Sequence, residues 1–509
     1  MTAAPLDRGW SLLRKSLRDG GDRVAVIAGD TAMTYRQLDD EVRAVASYLT
    51  QELEPGARVA LLLGTTPTYL VADLAVMRAG LVKIPVNPML DPDDIAYIAG
   101  HSGASILLVT RDLEPRLAGV AREIERAGCR LVVLDDEAVR THVHAAPAVP
   151  SRDADAAADG VILYTGGTSG RPKGVVHSQA SVAATVLTHI VEAEVRSDEV
   201  MLLASALSHS AGLFAQAALA RGATVVLQEK FDAEAYLRLI AAHGVTFLSV
   251  VPTMLYRILD AIGAADDAPG VRTIVYGSAP ITPARLAQAI DLFGPVLVQL
   301  FGQSECPNFG TTLTKSDHLR ALREPALLGS CGRASTLAEV AIGDPETGRR
   351  LPRGEVGEVL LRAPYVMDRY LDAPEATAES LRDGWVHTRD LGLMDDDGYV
   401  HLKDRLSDLI ITGGYNVYPS EIERVLEQHP GVDAVAVVGL RDDDWGELVC
   451  AVVVPNGVVD PVELTAWSRE RLGAYKRPKR VEVRGVLPLT PFGKVDKKAL
   501  RREYSEETR

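Results

Sequence analysis

The sequence predicts an α/β protein. It reads as a large N-terminal domain of βα-layered subdomains with a small β-rich subdomain, then a small α+β C-terminal domain. Three observations carry this. Short apolar runs alternate with stretches of helical periodicity through most of the chain, the pattern of a mainly parallel sheet covered by helices. Residues 350–405 switch to brief β runs separated by Gly- and Asp-containing turns, as in Gly354-Glu355-Val356-Gly357-Glu358-Val359 and Asp397-Gly398-Tyr399-Val400. Beyond that, new strand and helix signals fill roughly 100 residues, enough for a separate domain. The boundary is placed between a domain of residues 1–406 and one of residues 407–509.

The elements follow in order. Val24–Ile27 is a short apolar run. Thr34 with Gln37 three residues later forms a capping box that opens a helix through Tyr48. Arg58–Leu63 reads as a buried strand, and Thr66–Ala79 as a helix with Pro67 in its first turn. Leu81–Val86 is a strand, Asp91–Ala99 a helix and Ser105–Val109 a strand. Ala145–Asp159 has no periodicity and reads as a surface linker. A helix covers Val182–Thr188. Ala223–Leu227, Phe247–Val251, Thr273–Tyr276 and Val296–Leu300 are further strands. Near the C-terminus, Ser420 and Glu423 read as a second capping box, for a helix Glu421–Gln428. Strands follow at Ala434–Val438 and Leu448–Val454, then a helix over roughly 462–472.

Composition sets limits on function. The 509 residues carry 54 Lys+Arg against 69 Asp+Glu, a net charge of −15, which excludes a protein that coats nucleic acid. It leaves room for a small anionic ligand held by local cations. The cysteines, Cys129, Cys306, Cys331 and Cys450, lack C-x-x-C spacing, so no zinc ribbon or dithiol site is expected. The N-terminal stretch lacks the apolar core of a secretory signal, and no apolar run is long enough to span a bilayer. A cytoplasmic location is the expectation.

Residues 164–174 read Tyr-Thr-Gly-Gly-Thr-Ser-Gly-Arg-Pro-Lys-Gly. Gly166, Gly167 and Gly170 let backbone N–H groups turn toward an anion. Thr165, Thr168 and Ser169 add hydroxyl donors, and Lys173 adds charge. This points to phosphate binding, yet Pro172 and Gly174 flank Lys173, so the spacing is not that of the common P-loop.

The loop resembles the signature of the acyl-adenylate-forming superfamily, which includes acyl-CoA synthetases, nonribosomal peptide adenylation domains and beetle luciferases. The resemblance recurs in order along nearly the whole chain, from Thr34-Tyr35 to Lys494. It implies an ATP- and Mg²⁺-dependent activation of a carboxylic acid to acyl-AMP with release of pyrophosphate. Transfer of the acyl group to the thiol of coenzyme A would follow.

Matched motif by motif, Tyr276-Gly277-Ser278-Ala279-Pro280 falls on the family's adenine loop, and Phe301-Gly302-Gln303-Ser304-Glu305 on its next motif. Phe301 stands where Tyr is usual, which keeps stacking and loses a hydroxyl. Ser304 would donate to phosphate, and Glu305 would associate with Mg²⁺, a hard cation content with one carboxylate beside nucleotide phosphates. Asp390, in Thr388-Arg389-Asp390, would accept from the ribose hydroxyls. Arg405 would reach ribose or phosphate. Lys494, in Pro491-Phe492-Gly493-Lys494, would follow charge on both the attacking carboxylate and the α-phosphate. With Thr168 and His209 it makes up the expected catalytic set.

For the thiol, Gly413 and Gly414 would line the pantetheine path. Trp445 would face the nucleotide end of coenzyme A. The run Tyr475-Lys476-Arg477-Pro478-Lys479-Arg480 places four cations in six residues, suited to its phosphates. The same run would suit docking of an acidic acyl carrier protein, so transfer to a carrier's phosphopantetheine is the alternative. The family hinge, usually Asp or Lys, falls on Ser407, with Asp408 beside it. Leu207-Ser208-His209-Ser210-Ala211-Gly212 matches the acyl-pocket segment. Ser210 stands where amino-acid-activating members carry Asp, which argues against an α-amino acid. With Leu300, Cys306, Pro307 and Asn308 it outlines a pocket for a medium to bulky apolar or aryl acid.

Overall fold

The computed structural model describes residues 8–152, 154–165, 171–262, 270–279, 281–489 and 495–506. They divide into two compact units. One holds most of the chain up to residue 340 together with residues 361–386, and the other holds residues 341–360 and the chain from residue 387 onward.

The larger unit contains two sheets. In the nine-stranded sheet the strands run Arg333–Ala334, Cys306–Leu313, Leu297–Gln303, Thr273–Gly277, Phe247–Val250, Val200–Leu203, Thr224–Leu227, Val24–Ala28 and Thr31–Thr34. Its interior pairs are parallel and its two ends are closed by antiparallel strands. The seven-stranded sheet runs Arg369–Tyr370, Lys173–Ser178, Asp159–Thr165, Val82–Pro85, Arg58–Leu62, Ile106–Val109 and Arg130–Val133. The central strands are buried on both faces, which is why they read as unbroken Val/Leu/Ile runs rather than alternating ones. One core joins both sheets through the helices Gly9–Gly20, Tyr35–Glu52, Pro67–Arg78, Gln179–Glu192 and Ser210–Arg221.

Local signals account for many boundaries. Thr34 Oγ1 accepts from the Gln37 N–H, and the Gln37 side chain accepts from the Thr34 N–H, so the expected capping box is present. Pro67 opens its helix at the first turn. The stretch read as a linker after Ala145 is irregular but fastened: Val149 N–H donates to Ser47 Oγ, and the Arg152 guanidinium donates to the Leu53 and Thr50 carbonyls. The helix Gly9–Gly20 had no counterpart among the expected elements.

In the second unit the strands Gly446–Pro455 and Val432–Asp442 pair antiparallel, and Ile410–Thr412, Tyr415–Val417 and Arg480–Val483 complete the sheet. Its two faces follow the period of two along each strand. Val435, Val437, Val449, Ala451 and Val453 meet Ile422 and Leu426 of the helix Pro419–Leu426 and Leu464 of the helix Pro461–Arg471. Ala436, Val438, Leu440, Cys450 and Val452 meet Leu500 and Tyr504 of the helix Lys497–Glu506. Here one expectation fails. Ser420 is not an N-cap, because Pro419 starts the helix one step earlier. Ser420 Oγ instead donates to the Lys403 carbonyl, and Glu423 accepts from the Val437 N–H and pairs with Lys497. Among the described residues no helix is long and apolar enough to cross a membrane.

Candidate active site

In the larger unit, Thr165 and Lys173 are opposed residues of the antiparallel strands Asp159–Thr165 and Lys173–Ser178, so the expected phosphate loop is a hairpin connection. Gly166, Gly167, Thr168, Ser169 and Gly170 lie outside the described residues. Lys173 sets its ammonium 5.2 Å from the centre of the Tyr370 ring. Tyr370 in turn donates its hydroxyl to Glu305 Oε1 at 2.5 Å. Lys173 and Glu305, far apart in sequence, thus share one neighbour. One oxygen of Glu305 is oriented by Tyr370. This fits a divalent cation whose remaining ligands are phosphate oxygens and water. Among the described residues no cluster of three or more His, Cys, Asp or Glu makes an all-protein metal cage.

Ser304 is fixed through its backbone: its carbonyl accepts from His177 Nε2 at 2.7 Å, and Nδ1 of the same ring lies 3.1 Å from Ser181 Oγ. The carbonyl requires the proton on Nε2, so Nδ1 accepts. Burial lowers the His177 pKa and keeps that neutral form.

The adenine-loop residues sit where strands approach closely. Gly277 ends the strand Thr273–Gly277, and a Cβ there would lie 2.4 Å from the Leu300 carbonyl oxygen. A Cβ on Gly302 would lie 2.6 Å from the Cys306 carbonyl, inside the irregular turn that joins Leu297–Gln303 to Cys306–Leu313. Ser278 follows with φ +66° and Ala279 is exposed. Phe301 is half-buried.

His209 precedes the helix Ser210–Arg221. The residue is exposed in part, yet the protein packed around its ring desolvates it and draws its pKa down to about 4. Gly212 is required in the first turn, since a Cβ would stand 2.1 Å from the Leu207 carbonyl oxygen. Cys306 and Pro307 are buried, and burial pushes the Cys306 thiol up to about 12, which makes it a packing residue rather than a nucleophile. Asn308 is held at φ +62° and donates through Nδ2 to Ser210 Oγ and His189 Nε2, each at 2.8 Å.

In the smaller unit, Asp390 and Arg405 are opposed across the strands Trp385–Met394 and Val400–Arg405. Arg405 Nε lies 3.2 Å from Asp390 Oδ1, with Asp390 buried. Ser407 lies in the turn after this strand. Its carbonyl accepts from Arg501 Nη1, and Asp408 Oδ1 pairs with Arg501 Nη2, both at 3.2 Å. Gly413 and Gly414 form a two-residue hairpin turn between Thr412 and Tyr415, with φ +57° and +79°, the primed-turn geometry glycine accommodates best. The Gly413 N–H donates to the Trp445 carbonyl, and the turn packs beneath the Trp445 ring. Lys494 lies outside the described residues.

The basic run divides by role. Lys476 pairs with Glu421 at 2.6 Å. Arg477 donates to the Leu472 and Arg469 carbonyls and thereby caps the preceding helix. Arg480 pairs with Glu482. Lys479 sits directly over the exposed Trp445 ring. Tyr475 stacks on Tyr415 with centroids 4.8 Å apart.

Sequence reasoning missed Tyr370, His177, His189 and Lys479 as individual contributors. None falls in a local pattern except Lys479, which the sequence shows only as one charge of the basic run.

Residues 13–371 match the AMP-binding enzyme family, and residues 421–494 match the AMP-binding enzyme C-terminal domain. The chain belongs to the AMP-binding enzyme family. Two similar relatives and one solved structure extend the comparison. The medium/long-chain-fatty-acid–CoA ligase FadD8 of Mycobacterium tuberculosis is 35% identical, over 97% of this chain and 90% of its own. A feruloyl-CoA synthase of an Amycolatopsis species is 37% identical, over 94% of this chain and 96% of its own. The amide bond synthetase McbA from Marinactinospora thermotolerans is 35% identical and superposes with a TM-score of 0.87, over 97% of this chain and 100% of that chain. This AMP-binding enzyme therefore aligns over nearly its whole length with a CoA ligase and a CoA synthase, and shares its fold with an amide bond synthetase.

Proposed function

We propose that the protein is an AMP-forming acid–thiol ligase that makes acyl-CoA. The observation that carries this reading is the shared contact of Lys173 and Glu305 with Tyr370. It gathers a phosphate-loop cation and a metal-compatible carboxylate in the unit that also holds the adenine-loop glycines. In the first step a carboxylate oxygen attacks the α-phosphorus of ATP, and pyrophosphate leaves. Lys173 and the hairpin hydroxyls hold the departing phosphates, and Asp390 holds the ribose with Arg405 beside it. Mg²⁺, when bound with ATP, neutralises charge on the phosphate oxygens. Lys494 bridges the carboxylate and the α-phosphate as negative charge builds there. In the second step the thiol sulfur attacks the acyl carbonyl carbon, its proton is released, and AMP leaves. The Gly413-Gly414 turn is the thiol path, with Trp445 and Lys479 at its nucleotide end, and the change between steps turns on Ser407.

Coenzyme A is favoured as acceptor by Lys479 over Trp445, a cation and an indole suited to a nucleotide phosphate and base. A phosphopantetheinyl carrier protein is the alternative. The test supplies each acceptor with ATP and a panel of aryl and medium-chain acids. Coenzyme A thioester is the expected product, and its absence alongside thioester on a carrier overturns the acceptor. Lys494→Ala should abolish pyrophosphate release while sparing thioester formation from preformed acyl-AMP. Equal loss in both half-reactions contradicts its role. A cytoplasmic location is part of the same proposal.

A further inference from the structure

The polar groups around Asn308 form a chain whose direction is fixed at one end. His189, in the helix Gln179–Glu192, is fully buried, with its ring against Phe214 and Phe309 at centroid distances of 4.9 and 5.0 Å. Its Nδ1 lies 2.7 Å from the Thr185 carbonyl oxygen, which can only accept, so Nδ1 carries the proton. Nε2 is then an acceptor, and burial that lowers the His189 pKa to about 4 keeps it so at neutral pH. Asn308 must therefore turn its amide nitrogen, not its oxygen, toward Nε2. The second amide proton goes to Ser210 Oγ.

Two groups remain. Ser210 already accepts, and its own hydroxyl proton has no partner among the described residues. Asn308 Oδ1 has none either. Both side chains are only partly buried, so a ligand can reach them. A donor and an acceptor thus stand side by side among the residues that the sequence matches to the family's acyl pocket. A carboxylate or ether would leave Oδ1 unpaired, an ammonium would leave the Ser210 proton unpaired, and a methyl group would leave both. A hydroxyl accepts from Ser210 and donates to Asn308 at once.

We infer that Ser210 and Asn308 select an acid bearing a hydroxyl group on its acyl portion, with His189 as the positioning residue that orients Asn308. The inference rests on the acid-activating reading and refines the apolar pocket expected from sequence.

The test uses matched acids and the full chain. Calorimetry compares 4-hydroxyphenylpropanoic with phenylpropanoic acid, and 10-hydroxydecanoic with decanoic acid. The hydroxylated member of at least one pair should bind about tenfold more tightly or better. The pair that responds distinguishes a phenol from an aliphatic alcohol. Ser210→Ala should bring that ratio close to one, and Ser210→Thr should restore it. Equal or undetectable binding of both members in both pairs overturns the inference, as does a ratio unchanged in Ser210→Ala. Pyrophosphate release is measured on the same acids. A retained binding preference without any release overturns the adenylation reading and leaves the selectivity standing.

Discussion

At the scale of single residues, Tyr370 joins two motifs that sequence treats separately. Removing its hydroxyl in Tyr370→Phe frees Glu305 from its hydrogen bond and leaves the ring under Lys173. The magnesium concentration for half-maximal pyrophosphate release should rise several-fold, while stability changes by only about 1 kcal/mol. An unchanged magnesium requirement shows that Tyr370 does not orient Glu305. Lys173 and Glu305 were legible because each sits inside a recognisable string of neighbours. Tyr370, His177 and His189 were not, because each acts on a partner 65, 127 and 119 positions away, respectively. Their chemistry exists only once the sheets have formed.

Among the elements, legibility followed the range of the forces. The Thr34–Gln37 capping box is complete within four residues, so the local sequence suffices to specify it. The Ser420–Glu423 pattern has the same residue types, but Pro419 begins the helix earlier and tertiary partners claim both side chains. Parallel strands were legible as apolar runs, since burial on both faces removes alternation. The Gly413-Gly414 turn offers a test at this scale. A methyl group at Gly413 meets left-handed backbone strain and the Trp445 ring 2.9 Å away. Gly413→Ala should cost about 1–2 kcal/mol of stability. It should also slow thioester formation from preformed acyl-AMP at least tenfold while pyrophosphate release falls far less. Equal effects on both steps count against the thiol path. Arg501 supplies a second test, because it holds the Ser407 carbonyl and Asp408 from the helix just beyond Lys494. Arg501→Ala should change the ratio of the two half-reaction rates more than it changes the melting temperature. An unchanged ratio removes Ser407 as the turning point.

For the whole molecule, the net charge of −15 concealed how its cations are deployed. Of the basic run near the C-terminus, Lys476, Arg477 and Arg480 are tied to carboxylates or carbonyls, and Lys479 stands over Trp445. Sequence gives the number of charges, but folding assigns their partners. Histidines set the pH response. His189 and His318 are fully buried with pKa values lowered to about 4 by desolvation, below the ordinary value of 6.5. Between those limits the unfolded chain binds protons that the native state refuses, so stability is full above pH 6.5 and falls toward pH 4. The loss is on the order of 3 kcal/mol for each ring. Melting temperature should be level from pH 8 to 7 and drop steadily below 6.5. A flat profile down to pH 5 contradicts the burial of neutral imidazole. The cysteines Cys129, Cys306, Cys331 and Cys450 are all buried, and desolvation raises the thiols of Cys129, Cys306 and Cys450 to about 11, 12 and 12. Iodoacetamide should therefore label them only after denaturation. A catalyst that handles a free thiol as co-substrate works in a bath of mercaptan and its oxidised dimer. By keeping all four of its cysteines buried, this chain withholds its own sulfur from exchange with them.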